Sequence, residues 1–135
     1  MINLNVGYKE SKQLAKDTYS KIGSISSPAL NGELIHFTSD GFNHLMRKGH
    51  KIRTKTEQKR RFALIPYITD IIKNPHAKIT LRQTEEKYII NRGDQDIYII
   101  SQAKFWTFHT KINGSKVRVV IRQIQAERKQ FQSVM

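Results

Sequence analysis

The densest reactive stretch of the chain is residues 44–61. There Arg47, Lys48, Lys51, Arg53, Lys55, Lys59, Arg60 and Arg61 meet one acid, Glu57, and His44 and His50 stand at the start. A solvated helix face ordinarily mixes signs. Eight cations against one acid therefore point to a surface that grips phosphates. His44 beside such a run suits proton transfer near neutral pH, because neighbouring cations favour the neutral, base-competent imidazole. On position alone, a histidine satisfied at a helix–sheet seam is an equal reading.

A second set of candidates lies in the C-terminal half. With a period of two, Phe105, Thr107, His109 and Lys111 share one face of a strand, and Trp106, Phe108, Thr110 and Ile112 the other. The second set is more apolar and is expected against helices, which leaves His109 simply exposed. Arg118 and Arg122 fall on one side of the next strand, spaced to hold two oxygens of one phosphate or successive phosphates. Charges that protect an exposed strand are the plainer reading. Ser133, on a final short strand, is expected near the Arg118 end if the last two strands pair.

Absences narrow the chemistry. The chain has no cysteine, so disulfides and thiolate chemistry are excluded. Its 11 acids are scattered and Glu85-Glu86 is the only adjacent pair. A two-metal nuclease needs several inward carboxylates, so no metal is expected. No cofactor is expected either, since no phosphate-binding glycine motif or His-Glu-x-x-His is present. Lys and Arg number 24, and the formal charge is +13. Such a surplus favours a polyanionic partner, nucleic acid first. No stretch approaches ~18 uncharged apolar residues, so no membrane span is expected. No signal peptide is visible at the N-terminus. Metal-free phosphoryl transfer on RNA fits what is left: the 2′-OH is an internal nucleophile, and the protein supplies a base, an acid and cations.

The elements that must position these groups read as one α+β domain over residues 1–135, with residues 1–30 a helix and wrapping loop and 31–135 the core. Leu14, Ala15, Thr18 and Ile22 predict a helix over 8–22. Residues 24–32, rich in Ser, Pro and Gly, predict a loop. A strand is expected at 34–38, then a helix capped by Ser39 and running to about Lys48. A basic connection follows at 50–55. Thr54 and Glu57 have capping-box spacing and open a helix to about Lys73, kinked or split at Pro66. Strands are expected around Ile79 and Leu81, at 87–91, 96–101, 104–112, 116–124 and 130–134, with Asn113-Gly114 the clearest hairpin turn. Helices followed by strands predict N-terminal helices on one face of a four- to six-stranded antiparallel sheet.

Three segments carry a family resemblance: His36-Phe37-Thr38-Ser39-Asp40-Gly41-Phe42-Asn43-His44-Leu45; Glu57-Gln58-Lys59-Arg60-Arg61-Phe62-Ala63-Leu64-Ile65-Pro66; and 116–124 together with Phe131-Gln132-Ser133-Val134. Over residues 30–135 the chain resembles the barnase–EndoU–colicin–RelE superfamily of metal-independent ribonucleases, in its phage- and toxin-associated branch. The resemblance implies RNA cleavage by 2′-OH attack to a 2′,3′-cyclic phosphate, with tRNA a frequent target. It implies a catalytic set of His44, Arg53 (less surely Arg60), Arg122 and Ser133. Arg47, Lys48, Lys51, Arg60, Arg61, Lys87, Tyr88, His109 and Arg118 are the candidates for holding RNA. It also implies action in the bacterial cytoplasm, with delivery as the tip of a larger secreted protein one route. The expected partners are RNA and an acidic immunity protein or antitoxin, with no membrane and a monomer when free. A non-catalytic RNA- or DNA-binding module, or a structural nucleoprotein component, are the competing readings.

Overall fold

The computed structural model describes residues 7–135, without the side chains of 86–92, 98 and 99. The expected α+β class holds. The elements run α1 (Tyr8–Ser20), β1 (Ser24–Ser27), β2 (Glu33–His36), α2 (Ser39–Met46), β3 (Arg47–Lys48), β4 (Lys51–Ile52), α3 (Lys55–Leu64), α4 (Ile68–Lys73), β5 (Lys78–Arg92), β6 (Gln95–Ile112), β7 (Ser115–Ile124) and β8 (Lys129–Val134). Six strands form one sheet in the order β1-β2-β8-β7-β6-β5, and β3 and β4 form a separate ribbon. All pairs in the large sheet are antiparallel except β2 with β8, which is parallel.

Local chemistry accounts for most boundaries. Thr54 Oγ1 accepts from Glu57 N at 3.2 Å and opens α3 as expected. Pro66 lacks an N–H, so the helix breaks into a 3-10 turn over Ile65–Tyr67 before α4 resumes. Asn113 and Gly114 have φ of 51° and 80°, the pair of positive values that a two-residue hairpin matched to strand twist needs.

Four expectations are corrected. Residues 24–32 are not a plain loop: Ser24–Ser27 pairs with β2 through a turn at Asn31-Gly32. Edge pairing satisfies backbone groups that composition alone does not reveal. The helix at Ser39 is capped at Thr38 and stops at Met46, and Arg47 and Lys48 turn back onto β4 instead of extending it. The strands expected at Ile79–Leu81 and 87–91 are one strand, as are 96–101 and 104–112. The long hairpin outruns β7, whose last partner on β6 is Ala103. Finally, α1 buries Ser11, Ala15 and Tyr19, while Leu14 is 59 % exposed. Tyr19 decides the rotation. Its hydroxyl donates to Thr38 O at 2.6 Å, and its ring packs on Phe37, Phe42 and Phe131.

The core lies between the helices and one face of the sheet, around Ile35, Leu45, Ile72, Phe108, Ile121 and Phe131. As expected, the face bearing Phe108 is the packed one. The opposite face carries Arg118 and Arg122. Lys129 is buried on the packed side, paired with Glu33 and set over the Trp106 ring.

Candidate active site

The open face of β5–β8 forms a floor of cross-strand rungs. One rung joins Arg82, Phe105, Arg122 and Gln130; the next joins Thr80, Thr107, Val120 and Ser133; a third joins Lys78, His109 and Arg118. A bulge between Val120 and Ile121 leaves Gln132 as the extra residue of β8.

A wall rises along the outer edge of β8. β2 pairs with that strand only at Lys129 and Gln130, and α2 packs beside the remainder. Gly41 permits the approach: a Cβ there would lie 2.5 Å from Phe131 O and 2.7 Å from the Tyr19 hydroxyl. Three residues on, His44 lines a cleft of about 320 Å³ with Asp40, Arg122, Gln130 and Gln132. Burial pushes the His44 pKa down, and the Arg122 and Arg53 charges push it further, against a weaker upward pull from Asp40. The imidazole is thereby kept neutral and able to accept a proton.

Arg53 is held at the end of α2. Its Nε donates to His44 O at 3.1 Å and its backbone N to Met46 O at 2.8 Å. Gln58 Nε2 donates to Arg53 O at 2.7 Å, and Tyr8 donates to Gln58 Oε1 at 2.5 Å. A buried glutamine thus ties α1 and α3 to Arg53, which binds the carbonyls of the last turn of α2. Three of the four residues expected to be catalytic, His44, Arg53 and Arg122, are brought together. Ser133 lies on the same face, one rung away, but is only 6 % exposed.

The binding candidates divide. Arg47, Lys48 and Lys51 are exposed on the β3–β4 ribbon. Arg60 is exposed and pairs with Glu57 at 3.4 Å. Arg61 turns inward: it is 6 % exposed, its Nε meets Glu57 at 3.2 Å and its Nη1 donates to Val134 O at 3.0 Å. It ties α3 to β8, a role its place in a charge run did not suggest. Lys87 and Tyr88 lie outside the described side chains; their backbone pairs with Ile100 and Ile99, past the end of β7. His109 is half-buried, not simply exposed, with Nε2 at 2.9 Å from Thr80 Oγ1. With Arg118 it stands four residues along β7 from the Arg122 rung, about 13 Å at strand rise. The structure does not join it to His44.

Sequence reading missed Asp40, Gln130, Gln132, Lys78 and Thr80. The i, i+4 spacing of Asp40 and His44 was available as a signal. The others needed the strand register. The aromatic strand offers little for stacking on bases: Phe105 is 5 % exposed beneath Arg82, and Phe108 is fully buried. Among the described residues, no three His, Asp or Glu side chains gather as metal ligands, and no helix is long and apolar enough to cross a membrane. No protein-family model, curated protein or solved structure matches this chain.

Proposed function

We propose that this chain is a metal-independent RNA endonuclease. The observation that carries the reading is a half-buried histidine, held neutral, that shares a cleft with Arg122 and lies within the field of Arg53, in a strongly basic domain. In this reading the His44 imidazole takes the proton of a ribose 2′-OH. O2′ attacks the adjacent phosphorus, the P–O5′ bond breaks, and the leaving oxygen takes a proton from water. The products are a 2′,3′-cyclic phosphate and a free 5′-OH. Arg122 and Arg53 offset the charge that accumulates on the pentacoordinate phosphorus. Ser133, nearly covered, would support the floor beneath the phosphate and is not a covalent nucleophile. Arg47, Lys48 and Lys51 would add non-specific attraction at the rim.

The same charge favours an acidic protein partner that covers the cleft, as an immunity protein or antitoxin would, with fast association from complementary potentials. Activity would then be exercised on cytoplasmic RNA, tRNA included.

The test is incubation of the purified chain with total RNA in excess chelator, followed by mapping of product ends. Cyclic phosphate ends, with loss of cutting in a folded His44→Ala variant, are expected. Equal cutting of a deoxyribose strand, or tight binding that leaves RNA intact, would overturn the proposal and favour a binding module.

A further inference from the structure

We propose that the end of the open face remote from His44 is a second phosphate site, taking another phosphodiester of the same RNA strand whose reacting phosphate lies at His44 and Arg122. The inference rests on the RNA reading above and adds a minimum substrate length to it.

The structure has a larger cleft than the one at His44, of about 1160 Å³, between α3 and the rung of Lys78, His109 and Arg118. Arg60 forms part of its wall, and Lys111 and Lys116 stand at the hairpin rim. Among the described residues its one acidic side chain, Glu57, is already engaged by Arg60 and Arg61, while Met135 O accepts from Arg118 N at 2.7 Å. Lys78 and Arg118 flank His109 on adjacent strands of one face. The two cations stand on either side of β6, and no acid occurs between Asp96 and Glu127 to offset them. A bound polyanion supplies the missing charge. Thr80 Oγ1 fixes the His109 ring at 2.9 Å, so this end of the floor is ordered before a ligand arrives.

Spacing decides the kind of anion. The Cα atoms of Arg118 and Arg122 are about 13 Å apart along an extended strand, so each guanidinium has room for a phosphate of its own. Both lie on one face of β7, with only Val119, Val120 and Ile121 between them and no acid in the interval. A single nucleic-acid strand presents phosphates at successive intervals along such a track. A free nucleotide does not.

The test uses a 12-nucleotide 2′-O-methyl RNA, which lacks the attacking hydroxyl and reports binding without cleavage. Its affinity for the whole chain is measured by fluorescence anisotropy across a potassium chloride series. Loss of the one phosphate contact in Lys78→Ala/Arg118→Ala should flatten the log K against log salt slope by about 0.7, and Lys78→Ala alone should flatten it by less. Both side chains are exposed, and a melting curve confirms that each variant folds. An unchanged slope overturns the second site, even if RNA is still cut. A flattened slope with no cutting of ordinary RNA keeps the site and removes the nuclease reading. Displacement of the oligonucleotide by polyglutamate, charge for charge, would show a site for acidic polypeptide and overturn the proposal.

Discussion

If His44 is the base, its ionisation should move in opposite directions when its two kinds of neighbour are removed. Asp40 lies one turn before His44 on α2 and is the one charge that raises its pKa; Arg53, on the other side, lowers it. An i, i+4 pair on a helix is worth roughly 0.2–0.5 kcal/mol. At 1.36 kcal/mol per pH unit, Asp40→Asn should shift the acid limb of the kcat/KM profile down by about 0.1–0.4 pH units. Arg53→Gln removes a cation that disfavours the imidazolium, so the same limb should move up. Arg53→Lys keeps the charge but loses the planar guanidinium that donates to His44 O; the limb should stay near its wild-type position while the rate falls. The assay is cleavage of a fluorogenic oligoribonucleotide in chelator from pH 5 to 8, with NMR titration of the His44 ring in the absence of substrate. Shifts of the same sign in Asp40→Asn and Arg53→Gln, or none in either, would refute the assignment of the limb to His44.

Further outcomes follow from the packing and the charges. Gly41→Ala gains helix propensity but drives a Cβ to 2.5 Å from a strand carbonyl, so it should cost about 1–3 kcal/mol by overpacking, read by urea unfolding, with activity reduced as α2 lifts from β8. Arg61→Met should cost about 1–3 kcal/mol, since it leaves Val134 O without its buried donor; the salt dependence of RNA binding should stay near wild type, because this guanidinium faces inward. His44 has a folded-state pKa below its ordinary 6.5, so the unfolded chain binds the extra proton and stability falls as pH drops below about 6.5. His44→Gln removes that proton uptake, and its melting temperature should fall less between pH 7 and pH 5 than that of the wild type.

What the sequence determined by itself was local. The Thr54 cap, the break at Pro66, the Asn113-Gly114 hairpin and the alternation along β7 depend on neighbours a few residues apart, and short-range chemistry is enough for each. The basic run and the scarcity of acids were equally legible, because charge is a property of composition. Tertiary structure decided which cations serve which purpose. Arg60 and Arg61 are adjacent in one run, yet one is exposed and the other binds a strand carbonyl inside the fold. His44 and Arg122 are far apart in sequence and share a cleft only because α2 replaces β2 along the outer edge of β8. His109 and Arg118 became neighbours through register, in which a one-residue slip would send both side chains to the opposite face. A strand's partners and the face of a helix that is buried depend on the whole chain at once, which is why Leu14 points to solvent and Tyr19 to the core.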